Sequence, residues 1–151
     1  MTRRSPLVAA VFLLGLAPLF GQMPTQPTNP PANPKGPPVA PDVEIYGSVV
    51  DPNLKSAAPA TGIIQTETAW KGLARAWDVK NPPKVDFKKD ILVVRTSVAD
   101  KMVINTRLDA GDLRVTVQDN GKEFKQGFRF GIRSVPRAGM KTVNGKPLPA
   151  E

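Results

Sequence analysis

Cysteine and histidine are both absent from the 151 residues. Their absence excludes disulfides, thiolate nucleophiles, imidazole bases and the usual Cys/His metal sites, and with them most familiar catalytic constellations. No cofactor is expected, and the chain is read as a non-enzyme; an enzyme of unknown type is kept as an alternative. Aromatic residues are few, with two Trp, one Tyr and six Phe. Long apolar runs are scarcer still. The single one, Leu7 to Phe20, is broken by Gly15 and Pro18 and is too short to span about 30 Å of hydrocarbon.

That run follows Arg3 and Arg4, and the pair of features reads as a cleavable secretory signal over residues 1–21. Cleavage after Gly21 starts the mature chain at Gln22, with no transmembrane anchor left and no cysteine for a lipoprotein-type lipid. The expected location is therefore the periplasm or the extracellular space. Residues 22–42 hold Pro24, Pro27, Pro30, Pro31, Pro34, Pro37, Pro38 and Pro41 among small polar residues and no hydrophobic period. Prolines fix φ and remove backbone donors, so this stretch is expected to be a solvated linker. Residues 43–151 are then left as one small domain of about a hundred residues, long enough for one core without disulfide support.

Short elements follow from Val43 onward. Val43 to Val50 alternates as a strand and stops at Asp51-Pro52-Asn53. Thr66 caps a helix with Glu67 in its first turn, and Trp70, Leu73, Ala74 and Trp77 share one face of it until Asn81-Pro82-Pro83. Ile91 to Val94 is a continuous aliphatic run expected to be buried on both faces. Met102 to Leu108 and Leu113 to Gln118 alternate around a turn at Asp109-Ala110-Gly111-Asp112. A second turn is expected at Asp119-Asn120-Gly121, then an alternating strand from Phe128 to Arg133, then a small hairpin at Asn144-Gly145. The fold class is α+β: an antiparallel β-sheet with one helix packed on one face, in two layers. In that arrangement Leu108, Leu113, Phe128, Phe130 and Ile132 all face the helix.

Three sets of residues are candidates for chemistry. Trp70 and Trp77 offer a sugar-stacking platform or, more in keeping with an amphipathic stripe, core. Asp86 and Asp90 are four apart, but Lys88 and Lys89 would keep both ionised, so loop capping suits them better than acid/base work. The arginines are the third set. Lys and Arg number 21 against 13 acids, so loss of Arg3 and Arg4 leaves the mature chain basic. A turn at residues 109–112 sets Arg107 opposite Arg114, and Arg129 and Arg133 point outward on a later strand, with Lys101, Lys122 and Lys125 near the ends. These four arginines are the candidate anion- or partner-binding residues, for an anionic polysaccharide or an envelope or secreted protein. Nucleic acid is not an expected partner, because no aromatic interleaves them. The alternative is a charged face that resists edge-to-edge association.

Ile63-Ile64-Gln65-Thr66 leading to Trp70 and Leu73, then Val85-Asp86-Phe87 before Ile91 to Val94, and finally Phe128 to Arg137 follow one another as in a known family. Over about residues 63–137 the chain resembles the C-terminal domain of PrcB-like proteins. Its end, Arg137-Ala138-Gly139-Met140-Lys141-Thr142-Val143-Asn144-Gly145-Lys146-Pro147-Leu148-Pro149, also resembles a family of small exported proteins with no assigned activity. The PrcB-like resemblance implies an exported accessory protein that associates with and stabilises a secreted protease complex and has no catalytic residues. The chain departs from that family at Ser97-Val98-Ala99-Asp100-Lys101, where a Pro-Thr-Gly-Gly-Tyr type loop is expected, so partner binding is not carried over to that loop. The functional expectation is an exported noncatalytic binding or accessory module; a polyanion-binding module is the alternative.

Overall fold

In a computed structural model the described residues are 41–148 together with Gly36, Pro38 and Val39. The expected signal, and all but the end of the expected linker, lie outside them. Eight strands and one α-helix follow in order: β1 (Glu44–Val49), β2 (Ile63–Ile64), α1 (Glu67–Ala76), β3 (Asp90–Ser97), β4 (Ala99–Asp109), β5 (Asp112–Glu123), β6 (Phe128–Pro136), β7 (Thr142–Val143) and β8 (Lys146–Pro147). A 3-10 turn, Pro52–Ala57, follows β1, its first N–H groups capped by Asp51 as it accepts from Asn53 N at 2.9 Å.

The single antiparallel sheet expected from the alternation is in fact two four-stranded sheets, ordered β1-β6-β3-β2 and β4-β5-β7-β8. The chain crosses from one to the other at Val98, the one residue between β3 and β4. All pairings are antiparallel except β5 with β7, which run parallel with Asp112 beside Thr142.

Two sheets resolve the burial of Ile91 to Val94. Alternate side chains of a strand point to opposite faces. Leu92 and Val94 join Trp70, Leu73 and Ala74 of α1, Trp77 at its C-cap, and Val49, Phe128, Phe130 and Ile132 in one apolar cluster. Ile91 and Val93 instead join Met102, Ile104, Leu113, Val115, Val135 and Val143 in a second. The expectation that Leu108 and Leu113 face the helix with the phenylalanines is therefore corrected: both belong to the second cluster, between strands of the two sheets.

Helix α1 begins where the sequence marks it, with Thr66 Oγ1 accepting from Ala69 N at 3.3 Å. The hairpin register is also as expected, with Leu108 opposite Leu113 and Arg107 opposite Arg114. Ala110 and Gly111 form a two-residue loop with φ of 48° and 88°, the primed turn that matches strand twist. The expected turn at Asp119-Asn120-Gly121 is absent. There β5 runs on to Glu123, and the pairing shifts by a bulge between Ala99 and Lys101. Gly121, at φ 103°, supplies the left-handed residue that the bulge uses, and a Cβ there would collide with Asp100.

Candidate functional site

The β4–β5 hairpin is the longest element, and its two faces differ. Met102, Ile104, Leu113 and Val115 are buried; Val103, Arg114, Thr116 and Gln118 are exposed, and Asn105 and Arg107 are half-buried. Register places the outward residues in three cross-strand pairs: Val103 with Gln118, Asn105 with Thr116, and Arg107 with Arg114. Val103, 44% exposed, is the one aliphatic side chain in this row.

The four candidate arginines do not form one face. Arg107 and Arg114 lie together on β4–β5, whereas Arg129 and Arg133 belong to β6 in the other sheet. Arg114 Nε lies 2.7 Å from Asp112 Oδ2, an ion pair whose geometry does not make an aligned hydrogen bond, since Oδ2 lacks one. Arg107 sits opposite Pro38 in an isolated antiparallel bridge. Arg129 lies over the Phe124 ring, 5.9 Å from its centroid, with its Nε buried and without a hydrogen-bond acceptor.

Arg133 has become a structural tie. Its Nη1 donates to Ile104 O, its Nη2 donates to Val39 O at 3.1 Å, and Glu44 lies 3.8 Å away. Around it Tyr46 Oη donates to Glu44 Oε1 at 2.7 Å and accepts from Ile104 N at 3.1 Å. Burial pushes the Tyr46 hydroxyl above its ordinary value, against the lowering effect of the hydrogen bond from Ile104 N. Val39 N donates to Thr106 O at 3.1 Å. Side chains of β1 and β6, and the end of the proline-rich stretch, thus satisfy the exposed backbone of β4 at residues 104 and 106. An edge strand covered in this way is closed to pairing with another chain. Gly36, beside the Leu108 carbonyl, and Pro38 thus already touch the sheet ahead of the Val43 boundary that composition suggests.

The two tryptophans are core: each is 3% exposed. Trp70 Nε1 donates to Pro83 O at 3.1 Å and Trp77 Nε1 to Leu54 O at 2.8 Å, so neither indole N–H is left bare. Asp86 shapes a turn, with its side chain accepting from Lys88 N and its carbonyl from Lys89 N and Asp90 N. Burial and then the Asp42 and Asp86 charges raise the Asp90 carboxyl above its ordinary value, against the lowering effect of Lys89.

Asp112 closes the hairpin against β7–β8. Its Oδ1 accepts from Thr142 Oγ1 at 2.6 Å and Gly145 N at 2.8 Å. Burial alone would raise this carboxyl, but those hydrogen bonds and the Arg114 charge hold it below the ordinary aspartate value. A depressed carboxyl stabilises the fold fully above the unfolded value, about 3.9, and the gain is lost as acid titrates the folded group below it. The difference in urea midpoint between the wild type and Asp112→Asn should therefore shrink as pH falls below about 3.9. A difference that stays constant through that range would contradict this role.

No helix among the described residues is long and apolar enough to cross a membrane, and no group of three or more acidic residues there could hold a metal ion. No protein-family model, curated protein or solved structure matches the chain.

Proposed function

We propose that the chain is an exported, noncatalytic accessory module that binds a protein partner through the outward face of β4–β5. The signal-like residues 1–21 and the proline-rich residues 22–42 support delivery and tethering. In this reading α1 shields one face of the β1-β6-β3-β2 sheet, so the outward face of the other sheet is left for binding. The observation that carries it is the row Val103/Gln118, Asn105/Thr116 and Arg107/Arg114, an aliphatic side chain beside amides, a hydroxyl and arginines. Interfaces between proteins combine such groups, with arginine enriched and lysine depleted. The partner surface would present a small apolar group to Val103 and hydrogen-bonding groups to Asn105, Thr116 and Gln118. A secreted protein complex, which the PrcB-like resemblance implies, fits that chemistry.

The competing reading, a polyanion-binding module, asks for unneutralised cations in one array, and Arg114 is instead paired with Asp112 while Arg133 is spent on β4. Heparin chromatography separates the two readings. The protein-partner reading expects elution below physiological salt, about 0.15 M, where counterions screen exposed charges beyond about 8 Å. Retention above that salt, lost in Arg107→Glu/Arg114→Glu, would instead establish polyanion binding.

A further inference from the structure

A cavity of about 290 Å³ opens where β2, at the edge of one sheet, comes near β7 and β8 of the other. Ala60, Ile63, Val143 and Pro147 give it apolar walls; Arg95, Asn144 and Lys146 bring nitrogen donors, and no acidic residue lines it.

Arg95 is built into this place. Its Nη1 donates to Gly62 O at 3.0 Å and to Val94 O at 2.8 Å. Gly62, at φ 67°, makes room for the guanidinium: a Cβ there would fall 1.8 Å from Nη1. Both acceptors are carbonyls, and no carboxylate among the described residues pairs with this half-buried cation. Burial correspondingly pushes the guanidinium below its ordinary value, with no opposing charge to offset it. Nε and Nη2 remain, and neither is among the buried atoms that lack a partner. That edge of a guanidinium is the planar fork that takes a carboxylate through two parallel hydrogen bonds. Asn144 Oδ1 accepts from Val115 N at 2.8 Å, which fixes the amide orientation and leaves its NH₂ as a further donor.

The geometry points to this cavity as a binding site for a carboxylate carried on a small aliphatic group, with Arg95 gripping the carboxylate, Lys146 adding charge and Ile63 and Val143 covering the aliphatic part. Such a group exists as a free branched-chain acid or as the C-terminal residue of a peptide. The site lies apart from the outward row on β4–β5 and does not depend on it.

Amide and methyl NMR of the full chain tests this with three probes: 4-methylpentanoate, the peptide Gly-Gly-Leu, and Gly-Gly-Leu amide. Shifts at Ile63, Asn144 and Val143 with the free acid identify a small-molecule ligand, and shifts with the peptide alone identify a chain terminus; either supports the site. The amide should bind at least about tenfold more weakly than the peptide, the loss of one charged bidentate contact. Arg95→Gln should abolish the shifts, but it also removes the bonds to Gly62 and Val94. Lys146→Glu, at an exposed position, supplies the second variant and should weaken binding about tenfold with an unchanged unfolding midpoint. No shifts with any probe, equal binding of the amide, or unchanged affinity in Lys146→Glu would overturn the proposal.

Discussion

Replacing Trp77 by alanine is expected to cost about 3–5 kcal/mol of folding free energy. The ring is almost wholly buried and lies 5.5 Å from Phe128 in an edge-on arrangement and 5.0 Å from Phe130. Truncation forfeits the transfer energy of the indole and leaves a cavity that neighbouring strands close only in part. It also leaves Leu54 O without its 2.8 Å donor at the 3-10 turn. Phe130 worsens the collapse, because its ring already fills the space beside Gly47 on β1, where a Cβ would come within 2.4 Å of it. Urea unfolding of the full chain measures the loss. A shift of less than about 1 kcal/mol would mean that α1 contributes little to the fold.

Leu113→Ala is expected to cost about 2–5 kcal/mol by the same mechanism, in the other cluster. Leu113 is fully buried among Ile91, Val93, Ile104 and Val135, which come from strands of both sheets. A hairpin lying at the surface of a single sheet would lose far less. Urea midpoints with an unchanged denaturant slope would show that the loss is stability and not a change in what unfolds. A near-neutral result would separate β4–β5 from the rest of the core.

The difference between these two clusters shows which features can be read from sequence. The helix was legible because its signals are local: a Thr66 cap, an acidic first turn, and apolar residues returning at helical spacing. The hairpin register was legible because alternation and the Ala110-Gly111 loop agree. Alternation says which side chains share a face, however, and not what covers that face. Leu113 and Phe128 alternate in the same way, and it is the return of the chain to the first sheet over residues 124–127 that puts them in different clusters. The aliphatic run Ile91 to Val94 required cover on both sides, and a lone helix supplies one.

Period-two reasoning misplaced Arg133 for the same reason. Its spacing matches that of Arg107, yet Arg133 projects to the margin between sheets, where its guanidinium satisfies backbone carbonyls of β4 and the proline-rich stretch. β7 was missed as a partner of β5 because it is two residues long. Its position depends on side-chain bonds from Asp112 and Asn144, which leave no periodic trace. Arg95 carried no signal either; its significance comes from Gly62 and Val94, whose carbonyls meet it only in three dimensions.

The proposed partner face is tested most directly by site-specific photocrosslinking of the full chain in its native cells. A photoreactive residue at Val103 or at Thr116 should yield the same discrete crosslinked protein, whereas the same residue at Lys71, exposed on α1, should yield none. Crosslinks absent at Val103 and Thr116, or equally strong at Lys71, would contradict binding through the outward face of β4–β5.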